Sequence, residues 1–173
     1  MAELSVVLVI VGLIGTSAVL NWKALLPSQK LQSAVRKLSD VMHECRSESI
    51  SRNRVFELYY DLENNRYWTK TPYRQDGGGL VRSEEEKSLV VNDTPLDEHD
   101  IEIVSVTIDD ETYTDGTVFV RFQPLGASSS HLVVLHQPLL ESYFTIEMMP
   151  LTGDMRFHDG VFERVPADDK DFD

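Results

Sequence analysis

Residues 31–56 read LQSAVRKLSDVMHECRSESISRNRVF, and they decide the fold. Leu31, Ala34, Val35, Leu38, Val41, Met42 and Cys45 recur at steps of three and four. Gln32, Arg36, Lys37, Asp40, Glu44 and Arg46 fill the opposite side. That spacing predicts an amphipathic helix with one buried stripe. After Asn53 the texture changes to short alternating runs that read as strands. The stripe therefore has a sheet to bury against and no second helix, which makes the class α+β.

Upstream, the sequence is ELSVVLVIVGLIGTSAVLNWKALLP. From Leu4 to Leu20 its polar side chains are Ser5, Thr16 and Ser17, and no charge intervenes between Glu3 and Lys23. At a rise of about 1.5 Å per residue, such a run roughly matches a bilayer core of about 30 Å. Trp22 falls where an interfacial aromatic sits. A cleavable secretory signal needs a basic start, and none precedes the run. A core helix would be striped, whereas this segment is apolar all round. A membrane anchor fits. Pro27 interrupts the helix near Leu26; if continuous, residues 3 to 52 form one helix of about 75 Å. The nearby cations Lys23, Lys30, Arg36 and Lys37 all follow the run, so the positive-inside rule alone would put the bulk of the chain in the cytoplasm.

Downstream, VFELYYDLENNRYWTK predicts a hairpin turning at Glu63-Asn64-Asn65. YRQDGGGLVRSEEEKS reads as a loop with a solvated charge run. IEIVSVTID, with Ile101, Ile103, Val104, Val106 and Ile108, predicts the third strand, and DDETYTDG a turn. TVFVRFQP, HLVVLHQP, YFTIEMMP and MRFHD are further strands at the spacing of an antiparallel sheet. The chain divides into an anchor (1–26), an amphipathic helix half (27–52), an antiparallel β domain (53–166) and an acidic, frayed tail (167–173).

Composition narrows the functions. The chain has 173 residues, a net charge of −13 and an estimated pI of 4.7. Such acidity repels phosphate backbones and disfavours nucleic acid. With one cysteine, Cys45, there is no intrachain disulfide and no cysteine-rich zinc site. His43, His99, His131, His136 and His158 are scattered and form no short metal pattern. His131 and His136 fall on opposite faces of a strand. Ser128 to Ser130 lack a nucleophile-elbow context, and the glycines at 77–79 lack a phosphate-binding one. No enzyme activity and no cofactor are expected. One weak calcium candidate remains, the loop carboxylates Asp109, Asp110, Glu111 and Asp115.

The order of anchor, long helix and strands, together with ELSVVLVIVGLIG, resembles the type IV pilin and pseudopilin superfamily. Glu3 matches the family's glutamate, and Ser5 to Gly15 match its apolar stretch. LSDVMHECRSESISRNRVFELYYDLENNRYW is similar to the helix end and first hairpin of H-type minor pseudopilins of type II secretion. VRFQPLGASSSHLVVL resembles their strand–Gly–Ser–strand unit, and YFTIEMMPLTGDMRFHDG their final hairpin, with its turn at Pro150 to Gly153. The strand motifs are looser and are shared with minor pilins of type IV pili.

The resemblance implies a non-catalytic subunit that helps initiate or cap a short periplasmic filament for protein export. It implies a single-pass inner-membrane protein with its β domain in the periplasm, partnered by other pseudopilins or pilins and by the secretion platform. Glu3 would pair with the N-terminal amine of a neighbouring subunit, fixing register because a mismatch leaves a buried charge unpaired. Gly12 and Gly15 would let neighbouring helices approach closely. The family carries a basic leader removed by a prepilin peptidase. A start upstream of Met1 would supply that leader and the missing basic flank, which resolves the orientation conflict. The proline that many pilins carry within the apolar stretch is absent. Two alternatives stand beside this reading: a minor pilin of a type IV pilus, acting in adhesion, motility or DNA uptake, and an unrelated membrane-anchored ligand-binding β domain.

Overall fold

Seven stripe residues, Leu31, Ala34, Val35, Leu38, Val41, Met42 and Cys45, are all buried, and Leu38 and Met42 have no accessible surface. They belong to α1, which is helical from residue 29 to residue 52. The computed structural model describes residues 29–77, 79–83, 85–97 and 100–164. The expected anchor, with Glu3, Gly12 and Gly15, and the expected acidic tail from 167 lie outside these residues. Among the described residues no helix is long and apolar enough to cross a membrane.

The C-terminus of α1 has a defined cap. Asn53 takes a left-handed φ of 51°. Its N–H donates to Ile50 O at 3.3 Å, and the Arg54 N–H donates to Ser49 O at 3.1 Å. This is the double bond of a Schellman motif, with asparagine in place of glycine. The chain then enters β1 (Phe56–Asp61).

Among the described residues nine strands follow, all paired antiparallel, in two sheets. The first has the order β3-β2-β1-β6, with β2 (Arg66–Arg74), β3 (Ser88–Pro95) and β6 (Thr117–Phe122). The second has the order β5-β4-β7-β8-β9, with β4 (Glu102–Ile108), β5 (Glu111–Tyr113), β7 (His131–Gln137), β8 (Ser142–Met148) and β9 (Met155–Asp159). Phe56, Leu58, Tyr60, Tyr67, Val120 and Phe122 of the first sheet share one core with the α1 stripe. Ile103, Val106, Val133, Leu135, Ile146 and Met148 extend that core from the second. The expected class, one helix on antiparallel sheet, is what the described residues form.

Three details differ from the sequence reading. SLVVNDTP, expected in no strand, is β3, an edge strand whose pairing with β2 is interrupted by register shifts. Bulges and exposed polar residues of this kind hide a strand from pattern reading and protect an open edge. DDETYTDG contains more than a turn. Asp109 and Asp110 both have positive φ (48° and 72°) between the paired residues Ile108 and Glu111. This two-residue loop with positive φ at both positions suits a tight hairpin, and β5 follows it. The alternation read across Ile101 to Ile108 breaks at a bulge between Ile103 and Ser105. Ile101, Ile103 and Val106 are buried, while Val104 is turned out.

β7 is buried on both faces except at His136. One face meets the core. Across the other, the chain doubles back after β9 at Gly160 (φ 90°). The Gly160 N–H donates to Tyr143 O at 2.9 Å, and Thr145 Oγ1 donates to Gly160 O at 2.8 Å. Phe162 then stacks on His158 with ring centroids 3.8 Å apart.

Arg46 locks the end of α1 to two loops. Its Nε donates to Gly126 O at 3.0 Å. A Cβ at Gly153 would fall on the same guanidinium group. Gly126 and Gly153 both have positive φ (82° and 70°), which a side chain tolerates poorly. Gly153→Ala is expected to destabilise the domain by about 1–3 kcal/mol, through backbone strain and displacement of Arg46. Arg46→Ala should cost about 1–2 kcal/mol. Chemical denaturation followed by circular dichroism measures both.

Candidate functional site

Of the residues nominated from the sequence, Glu3, Gly12 and Gly15 lie outside the described structure. The four carboxylates of the calcium candidate are described, and their oxygens are engaged elsewhere or dispersed. Asp109 Oδ1 accepts the Ser130 N–H at 3.0 Å. Glu111 accepts the Tyr113 hydroxyl at 2.7 Å. Asp110 lines a recess of about 260 Å³ with Thr107, Thr112, Leu132, Phe162 and Arg164. Asp115 lies beyond β5, next to the Gly116 turn. Among the described residues no group of three or more His, Cys, Asp or Glu is placed to hold a metal.

The groups that could do chemistry are dispersed in the same way. Cys45 is buried, and its Sγ lies 3.2 Å from Thr69 Oγ1. Burial pushes its thiol up to about 12, so no thiolate forms near neutrality. His131 sits in the core between Tyr60 and Phe122, with ring centroids 6.3 and 6.2 Å away. Its Nδ1 donates to Ser129 O at 3.3 Å. Burial pulls its pKa down to about 4, so the imidazole is neutral. His158 Nε2 donates to Glu147 Oε2 at 3.0 Å, and Arg164 Nε to Glu147 Oε1 at 2.8 Å. Burial alone would raise the Glu147 carboxyl. The hydrogen bonds and charges of Arg164 and His158 outweigh it and hold the carboxyl below its usual range. Its role is to fasten the returning segment 160–164 to the outside of β8.

The outer face of the first sheet carries a feature that was not anticipated. Trp68, Tyr59 and Phe119 face one another across β2, β1 and β6. Tyr59 stacks on Trp68 at 5.5 Å and 9°, and on Phe119 at 5.1 Å and 27°. Arg66 lies over Trp68, Lys70 over Tyr59 and Arg121 over Phe119. Rings interleaved with cations on a sheet are the equipment of single-strand nucleic-acid platforms. Here the equipment is turned inward on itself. The rings cover one another, Arg66 is held by Asp93, and Arg121 donates to Glu57 at 2.9 Å. The arrangement is therefore a cross-strand brace, each pair contributing about 0.2–1 kcal/mol. A sequence signal for it existed. Tyr59, Trp68 and Phe119 each alternate with buried neighbours, among them Leu58, Tyr60, Tyr67 and Val120. What the sequence lacked was the register that brings the three into one row.

No family model matches the chain, and no curated protein matches it in sequence. A solved structure does resemble it: the minor pseudopilin EpsH from the type II secretion system of Vibrio cholerae. The TM-score is 0.50 at 10% identity, over 74% of this chain and 95% of that one. The likeness shows the fold. One helix packed on antiparallel sheets is the fold that the two chains share.

Two expectations follow. His131 has a folded pKa of about 4, below its ordinary 6.5, so between those values the unfolded chain binds the extra proton. Stability should therefore fall as pH drops from about 6.5 toward 4, by up to about 3 kcal/mol from this residue. Urea unfolding across that range measures the slope, and His131→Phe should flatten it. In the brace, Trp68→Ala should lower stability by about 1–2 kcal/mol, and Arg66→Ala by less, in thermal melts.

Proposed function

We propose that this chain is a non-catalytic minor pseudopilin of a type II secretion filament, helping to initiate or cap a periplasmic pseudopilus for protein export. The observation that carries the reading is the structural likeness to EpsH, which extends over 95% of that chain. The apolar run from Leu4, fronted by Glu3, supports it from the sequence. In this reading residues 1–26 first hold the subunit in the inner membrane, and the domain stands in the periplasm. The run then exchanges lipid contacts for helix contacts in the filament core, where Gly12 and Gly15 admit close neighbours. Glu3 sets axial register by pairing with a neighbour's terminal amine. The partners are other pseudopilins and the inner-membrane secretion platform, and a prepilin peptidase trims the leader if one precedes Met1.

The buried stripe serves this role. It fastens the domain to the helix half that follows the apolar run in sequence, which would let stacking of the runs set the positions of the domains.

Mass spectrometry of the native N-terminus tests the processing, and a trimmed, N-methylated end is expected. Loss of the gene should abolish export of the system's substrates while leaving them folded inside the envelope. Glu3→Ala should leave membrane attachment intact and reduce incorporation into filaments by about tenfold or more, the scale of a lost register-setting pair. A chain found wholly in the soluble fraction, with an untrimmed end, would overturn the reading.

A further inference from the structure

Two apolar side chains of the second sheet are buried away from the core. Leu132 and Val134 of β7 are each 4% exposed, yet they alternate with Val133 and Leu135, which belong to the core shared with α1. Leu132 and Val134 therefore lie on the outer face of the sheet, and the returning segment covers that face. Phe162 and Arg164 border a recess together with Leu132, Thr107 and Thr112. This cover is not held as a strand is held. Among the described residues, 161–164 make no backbone-to-backbone hydrogen bond. Side chains of the sheet and its flanks fasten them. The Phe162 N–H donates to Thr145 Oγ1 at 3.1 Å, and Arg164 donates to Glu147 Oε1 at 2.8 Å and to Ser130 Oγ. Val161 is exposed, so the apolar contact of the segment is Phe162, stacked on His158.

We propose that residues 161–164 are a strap latched by the Glu147 carboxylate, and that protonation of Glu147 frees the strap and bares Leu132 and Val134 while the core stays closed. One buried carboxylate serves two elements: Arg164 of the strap on Oε1, and His158 of β9 on Oε2 at 3.0 Å. Protonation removes its charge and turns one of its oxygens into a donor, so Arg164 loses a charge-assisted bond and its counter-ion together. The neighbours of Glu147 work in the same direction. Arg156 pairs with it in register on β9, and β7 offers Leu132 on the other side. Glu163 of the strap and Asp110 of the β4–β5 hairpin line the adjoining recess. Without the Glu147 charge, Arg156 and Arg164 remain on that face as cations. The carboxyl is held below its ordinary 4.5, burial being outweighed by Arg164 and His158. The latch is therefore intact above about 4.5 and is lost as pH falls below it. Opening can be local, because Phe162, Leu132 and Val134 are outside the cluster that joins α1 to both sheets.

The test uses the purified full chain in detergent micelles. Leu132→Cys puts a thiol beneath the strap, and Cys45 in the core of the same molecule reports global unfolding. A pyridyl disulfide, which reacts with thiols in acid as well as at neutrality, labels both, and peptide mass spectrometry separates them. At neutral pH, adding Glu147→Gln should speed labelling at position 132 about tenfold or more and leave Cys45 unchanged. With Glu147 intact, labelling at position 132 relative to Cys45 should rise as pH falls from about 6 to about 4, and Glu147→Gln should abolish that rise. The ratio to Cys45 removes the global loss of stability that His131 brings in acid. Trypsin cleavage after Arg164 in the chain without the added cysteine gives a second reading, and Glu147→Gln should speed it by a similar factor. Equal rates with and without Glu147→Gln overturn the latch. Parallel acceleration at position 132 and at Cys45 overturns it as well, since the cover would then open only with the whole fold.

Discussion

The stripe of α1 is the constraint on which the rest of the structure depends. A helix that turns seven apolar residues to one side cannot stand alone in water, and two sheets close over it. At roughly 1.5–3 kcal/mol for each large apolar side chain removed from water, this burial is the dominant favourable contribution to the union of helix and sheets. Leu38 and Met42, with no accessible surface, sit where both sheets contribute to one core. Polar contacts add position. Cys45 touches Thr69, Ser49 Oγ donates to Gln123 O at 3.1 Å, and Arg46 is held by the Gly126 carbonyl. The helix is thereby fixed in rotation and in height.

That rigidity fixes the described helix half to its domain. The only cation of the first described turn, Lys30, is tied to Asp100 at the near end, and the Schellman cap ends the helix at the far end. Both ends of the described helix are thus fixed. The domain's ionisable groups serve the fold in the same spirit. His131 is kept neutral by burial, and Glu147 is kept charged by Arg164 and His158, so acid weakens both arrangements.

The outer face of the first sheet shows how a surface with a suggestive composition acquires a structural use. Trp68, Tyr59 and Phe119 with Arg66, Lys70 and Arg121 match, by residue type, a nucleic-acid platform. Their geometry places ring on ring and cation on ring, with Glu57 and Asp93 neutralising the arginines. Composition could not distinguish the two uses, because the difference lies in which faces of the rings are left free.

The sequence by itself determined the elements whose signals are local and periodic. The stripe from Leu31 to Cys45 follows the helical period, the hairpin at Glu63 to Asn65 follows turn chemistry, and β6 to β9 are apolar runs bounded by turn signals. The Gly153 turn was likewise visible as PLTG. Tertiary structure decided what depends on distant partners. β3 was hidden because an edge strand carries polar residues and register shifts, and β5 because its three residues are too few to show a period. The bulge after Ile103 brought Val106 onto the same buried side as Ile103, three residues on, which no alternation rule foresees. The site was less legible than the fold. Register alone placed Trp68, Tyr59 and Phe119 in one row, and loop placement alone brought Gly126 and Gly153 beside Arg46. Such contacts join residues far apart in the chain, and their energy exists only once the helix stripe has drawn the two sheets together.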